Sequence, residues 1–345
     1  MPLVSRCTMC THTLGLAEEF TLRYSSTFTL RQSSKLRAHR AIRNMQPNLL
    51  VPAAVTPNVK RFTSEDGTAI YAEAVGSPFN PHVVFLHGFS LSTVVFDCIF
   101  YNPRYAEQFY LVRYDMRGHG RSGKPRAAEA YASQRFTQDF AAVAKAYNLK
   151  RPLFAGWSLG ATIIADIVAH LPPNTLSGAV YLGALPYTGM TTRIMPAPVL
   201  ETIKTFHRDG DVARFVSAKM PFIDACFAQP KEVPYELRCL WAGGTLNSTP
   251  VDLELAFNRT QDPAPLLKAA RDGSLPLLVL HGEEDVILDC RDLVREVKSM
   301  SWKNAEVVIL EGIGHAPFYE GTESVMQNIG QFAKRVQATT YAAKL

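Results

Sequence analysis

Ser158 sits at the centre of Gly156-Trp157-Ser158-Leu159-Gly160, a G-x-S-x-G pattern. It follows the short apolar run Pro152-Leu153-Phe154-Ala155 and opens a helical pattern over residues 159–170. That setting predicts a sharp strand-to-helix turn, with glycine where a side chain would strike neighbouring backbone. Such a turn lifts the hydroxyl off a sheet edge and aims a helix N-terminus at it, which favours developing negative charge. A serine hydroxyl is a weak nucleophile without a base. Of the nine histidines only His315, within Gly312-Ile313-Gly314-His315-Ala316-Pro317, follows the last strand-like run. An acid must then fix the imidazole tautomer and balance the imidazolium. Three stand together after residues 275–280: Asp285 is best placed by register, with Glu284 and Glu283 as rivals. A backbone N–H in Leu86-His87-Gly88-Phe89 could pair with that of Leu159 to hold an oxyanion. Together these parts suit acyl transfer through serine.

Positioning them requires a sheet. Residues 59–75 read as a β-hairpin turned by Glu65-Asp66-Gly67-Thr68, because Asp-Gly suits a tight turn. Buried strands are expected at 82–86, 110–114, 152–155, 179–182, 275–280 and 306–310. Helical spacing covers 137–149, 159–170, 290–299 and 322–336. Strands alternating with helices imply a mostly parallel central sheet covered on both faces. Residues 186–274 break the rhythm. They lack a clear strand and carry Phe206, Phe215, Met220, Phe222, Phe227, Leu240 and Trp241, which reads as a helical cap over the sheet. The expected organisation is a basic leader (1–58), a first core part (59–185), the cap (186–274), a second core part (275–337) and a tail (338–345).

At this point the sequence resembles the α/β-hydrolase superfamily, in its lid-bearing serine esterase, C–C hydrolase and haloperoxidase-like branch. The resemblance spans about residues 59–337. It rests on Leu86-His87-Gly88-Phe89, Tyr114-Asp115-Met116-Arg117-Gly118-His119-Gly120-Arg121-Ser122, the Ser158 pentapeptide, Gly282-Glu283-Glu284-Asp285 and Gly314-His315. It implies the α/β-hydrolase fold, a triad of Ser158, Asp285 and His315, and Phe89 and Leu159 as backbone oxyanion donors. His87, Gly88 and Trp157 would face substrate, and the 115–122 turn would be structural. Leu288 stands where many relatives carry proline after the acid. Serine at the turn, where dehalogenases and epoxide hydrolases carry aspartate, implies an acyl-enzyme. The expected function is hydrolysis of a small to medium apolar carboxylic ester, thioester or lactone, with no metal and no organic cofactor. Cleavage of a C–C bond in a diketone would use the same triad. A non-catalytic ligand receptor on the same scaffold is the alternative from a different class.

Composition narrows the partners. The 345 residues are 47% hydrophobic and 19% charged, which excludes a disordered or fibrous chain, and no apolar run reaches membrane-spanning length. The net charge of +5 is confined to residues 1–50, which hold seven Lys+Arg and two acids; the other 295 residues carry 29 of each. A neutral body argues against a nucleic-acid partner. The Arg- and Ser-rich start reads as a transit-like leader, or as a disordered or upstream extension ahead of Met45. Cys7 and Cys10 form a lone C-x-x-C, and the remaining four cysteines are scattered singly, as in a reducing compartment. The final Ala343-Lys344-Leu345 resembles a peroxisomal S-K-L signal, so an import receptor is the expected protein partner. Peroxisome is the expected location, with mitochondrion or cytoplasm as alternatives.

Overall fold

The computed structural model describes residues 55–207 and 210–342, with side chains through residue 336. Most of the expected basic leader, with Cys7 and Cys10, and the terminal Ala343-Lys344-Leu345 lie outside the described residues.

Eight strands form one sheet: β1 (Asn58–Thr63), β2 (Ala69–Val75), β3 (His82–Leu86), β4 (Tyr110–Tyr114), β5 (Leu153–Trp157), β6 (Gly178–Leu182), β7 (Leu277–Gly282) and β8 (Ala305–Leu310). Their spatial order is β1-β2-β4-β3-β5-β6-β7-β8. β1 and β2 form the expected hairpin, closed by a 2.8 Å bond from Ser64 N to Thr68 O, and β2 joins β4 antiparallel. Every pairing from β4 through β8 is parallel. The inner strands are buried along their length, because helices cover both faces. The edge strands β1 and β8 expose most of their length and carry Lys60, Arg61 and Glu306, charges that discourage edge-to-edge association.

The helices follow the sequence pattern with three physical differences. The helix expected over 159–170 begins as a 3-10 turn, Ser158–Thr162, before the α-helix Ile163–His170. The helix Ser133–Ala146 stops at Tyr147, before Asn148 turns to φ 51°. The last helix, Thr322–Ala342, runs past the expected end at 336.

The interval after β6 contains helices and no strand among the described residues, including Ala197–Phe206, Val212–Ser217, Lys219–Asp224, Tyr235–Gly244 and Pro250–Phe257. The helix Ala264–Asp272, assigned to the cap from sequence, packs instead beside Ile163–His170 in the layer covering the sheet. Arg259 and Gln261 fasten the stretch after Pro250–Phe257 to that same layer. Arg259 Nη2 lies 3.0 Å from Asp166 Oδ2, and Gln261 Nε2 donates to Asp166 Oδ1 at 2.7 Å. Among the described residues no helix is long and apolar enough to cross a membrane.

Candidate active site

Parallel pairing brings the carboxyl ends of β3, β5, β6, β7 and β8 side by side, with Leu86 opposite Gly156, Trp157 opposite Leu182 and Gly282 opposite Leu310. The loops that leave this edge converge, as expected for an open α/β sheet.

Ser158 has φ 52°, a left-handed conformation that costs a non-glycine residue energy and is retained where surroundings enforce it. A Cβ on Gly160 would lie 2.5 Å from the backbone oxygens of Leu86 and His87, and one on Gly156 would overlap Ala161. The turn therefore presses against the end of β3. Gly88 lies directly over the serine: a Cβ there would approach Ser158 Cβ to 3.0 Å. Within the pentapeptide only Ser158 keeps partial exposure.

His315 and Asp285 meet across the sheet edge, with Nδ1 2.7 Å from Oδ2 and both side chains buried. Glu283 and Glu284, the rival acids, are exposed. Asp285 Oδ1 accepts from the amides of Ile287 at 2.8 Å and Leu288 at 2.9 Å. The departure at Leu288 thus has a local consequence, since proline would have no N–H to donate. His281 adds a further contact at 3.2 Å from Oδ2, its Nε2 also donating to Leu288 O at 2.9 Å. Burial pushes the Asp285 carboxyl upward, but His315, His281 and the Leu288 amide outweigh it and hold the group below the usual carboxylate range. The same burial keeps His281 below the usual histidine value. With Nδ1 engaged by a carboxylate, Nε2 is the ring nitrogen of His315 left to exchange a proton.

Two residues expected to face substrate do other work. His87 is fully buried; its Nε2 accepts from Met116 N at 3.0 Å and its Nδ1 donates to Gly88 O at 2.8 Å. Burial lowers its pKa, so the neutral ring serves as a brace for the loop after β3. Trp157 is 1% exposed and its indole N–H donates 2.7 Å to His315 O. It holds the histidine loop rather than lining open space. The Asp115 turn is internal too: Asp115 accepts from Thr93 N and Arg121 N, each at 2.7 Å.

The sequence model of the alpha/beta hydrolase family matches residues 83–327. The chain belongs to this family. Among curated relatives it is 23% identical to a bifunctional esterase/perhydrolase of Acinetobacter calcoaceticus, over 79% of this chain and 98% of that one. A non-heme chloroperoxidase of Streptomyces lividans is 25% identical over 79% and 98%. The solved esterase RhEst1 from Rhodococcus sp. ECU1013 superposes with a TM-score of 0.72 at 24% identity, covering 81% of this chain and 99% of its own. The bromoperoxidase of Bacillus anthracis gives 0.66 at 20% identity, covering 80% and 100%. These structural likenesses speak to the fold.

The helices between β6 and β7 of this α/β hydrolase reach the site through aromatic rings. Phe89 lies edge-on to Phe206, Phe222 and Phe257, with centroids 5.6, 6.1 and 5.5 Å away, and to His207 at 5.7 Å. Trp241 descends onto Trp157 at 5.9 Å. Glu320, absent from the expected site residues, bridges the histidine loop and the segment between β6 and β7: its carboxylate accepts from Gly314 N and from Ala228 N, both at 2.8 Å. Burial raises its pKa against those amide bonds. Its only sequence signal is its place five residues after His315. Among the described residues no group of three or more His, Cys, Asp or Glu is arranged to hold a metal ion.

Proposed function

We propose that the chain is a serine hydrolase that cleaves small to medium apolar carboxylic esters, thioesters or lactones through an acyl-enzyme on Ser158. The observation that carries this reading is the buried 2.7 Å pair of His315 and Asp285, tied by Trp157 to the strand that ends just before Ser158. The esterase of Acinetobacter calcoaceticus, matched over nearly its whole length, supports ester cleavage.

In this reading His315 Nε2 takes the Ser158 hydroxyl proton as the oxygen attacks the carbonyl carbon. Asp285 remains ionised and balances the imidazolium. The amides of Phe89 and Leu159 receive the oxyanion, each donor contributing about 3 kcal/mol to the transition state. The imidazolium returns its proton to the leaving alkoxide, and the ester bond breaks. Water, deprotonated by His315, then attacks the acyl-enzyme and releases the acid with Ser158 restored. The rings around Phe89 favour an apolar acyl chain.

A fluorophosphonate probe tests the nucleophile directly. The expected result is a single adduct on the peptide containing Ser158, absent in Ser158→Ala, with parallel loss of p-nitrophenyl ester hydrolysis. Folded protein that hydrolyses the ester without forming that adduct would overturn the mechanism.

A further inference from the structure

Lys219 carries its charge into the interior of the cap. The residue is 3% exposed, on the helix Lys219–Asp224, and its Nζ donates to Thr245 O at 3.0 Å. The ammonium also lies 3.8 Å from the centroid of Phe215 and 5.1 Å from that of Phe206. Among the described residues no carboxylate forms an ion pair with it. An ammonium has three donors, and a single carbonyl satisfies one. Aromatic faces offset part of the cost of burial, but a buried charge is normally paired. Burial alone brings this amine down to about 8, with no acid opposing the shift. A buried ammonium with no carboxylate among the described residues, one ring from the oxyanion loop, has donor capacity to spare for an anionic ligand.

Its surroundings connect it to the oxyanion loop. Phe206, beneath the ammonium, packs on Phe89 at 5.6 Å. Phe222 lies one turn along the same helix face and packs on Phe89 at 6.1 Å. Gly244, next to the acceptor Thr245, faces Ser92 in the loop after Phe89. One aromatic ring therefore separates the ammonium from the residue whose amide is the proposed oxyanion donor.

We propose that Lys219 recognises a carboxylate on the substrate, so that the preferred substrates are monoesters of dicarboxylic acids. Their aliphatic chain lies among the rings of Phe89, Phe206 and Phe222, the ester at Ser158 and the free carboxylate at Lys219. The chain supplies the apolar character that the aromatic cap demands, and the carboxylate supplies a counter-charge that no described residue provides. This assignment rests on the Ser158 reading for turnover, but not for binding.

The test compares monomethyl esters of α,ω-dicarboxylic acids of graded length with methyl alkanoates of matching length, on the full chain. The wild-type protein is expected to prefer the acidic ester at its best length by about 30-fold or more in kcat/KM. Lys219→Met brings that ratio close to one, mainly by raising KM for the acidic ester, and Lys219→Arg retains much of it. Equal rates for acidic and neutral esters at every length in the wild type would overturn the proposal without any variant. So would a Lys219→Met protein that loses both substrates equally. Calorimetry of the monomethyl esters with Ser158→Ala separates the two readings. Binding that disappears in the Ser158→Ala/Lys219→Met double variant upholds the carboxylate site, even if fluorophosphonate labelling has failed. Binding that is unchanged in the double variant, or absent from Ser158→Ala itself, removes it while leaving the Ser158 mechanism standing.

Discussion

The indole N–H of Trp157 donates a 2.7 Å hydrogen bond to the backbone carbonyl of His315. The residue before the proposed nucleophile thus grips the residue proposed as its base, across 158 positions of sequence. Both partners are buried, so nothing else replaces the bond if it is lost. Trp157→Phe keeps most of the ring packing on Phe318 and Trp241 but leaves the His315 carbonyl without its donor. The expected cost is about 1–3 kcal/mol in urea unfolding. kcat should fall more than KM rises, because the histidine is displaced while the acyl surface is kept. Unchanged stability and kcat would show that the bond does not hold the loop.

Asp285→Asn probes the acid. The amides of Ile287 and Leu288 can still find the side-chain oxygen, so the loop should keep its shape. The amide cannot balance an imidazolium, and kcat for a p-nitrophenyl ester should drop by about 10³- to 10⁴-fold. Glu283→Gln and Glu284→Gln, at exposed positions, should stay within about twofold of wild type. More than a tenth of the activity remaining in Asp285→Asn would move the acid elsewhere.

Arg259→Met probes how the segment between β6 and β7 is fastened to the helix Ile163–His170. Its guanidinium lies 3.0 Å from Asp166, with both side chains buried, on the helix that follows Ser158. Removing one partner leaves an uncompensated charge inside, at about 3–5 kcal/mol. Gln261 and Ser133 continue to donate to Asp166, which places the expected value at the lower end. A urea midpoint that barely moves would mean that the pair is not coupled to folding.

Asp66→Asn gives a pH signature. Burial opposes ionisation of Asp66, but hydrogen bonds from Arg117 and Thr68 bring it down to about 2. The folded value lies below the unfolded one, so its contribution is present above the ordinary aspartate range, near pH 4. It is lost as pH falls toward 2. The stability gap between wild type and Asp66→Asn should therefore be constant at neutral pH and close on acidification. A gap that widens on acidification would reverse the assignment.

Much of the scaffold was legible because it is written in local sterics and periodicity. Asp66-Gly67 announced the β1–β2 hairpin, and unbroken apolar runs announced strands covered on both faces. Gly156 and Gly160 announced a turn so tight that backbone occupies the space a Cβ would need. The alternation of strands and helices implied that the ends near Leu86, Trp157 and Gly282 would share one edge.

What the residue pattern left open is set by which groups lose water when distant segments close on one another. Register favours Asp285 over its rivals Glu283 and Glu284, but only the loop after β7 buries Asp285 and leaves the other two outside. His87 and Trp157 looked free to meet substrate, yet folding spends their polar atoms on Met116 N, Gly88 O and His315 O. Glu320 and Lys219 stand in no motif of the sequence. Only the packing of the segment between β6 and β7 turns one into a bridge between Gly314 and Ala228 and seals the other among aromatic rings. Sequence determined the sheet and the turn that presents Ser158, because neighbouring residues dictate backbone conformation. Tertiary structure decided the partners of each polar side chain, because desolvation and hydrogen bonding depend on residues far along the chain.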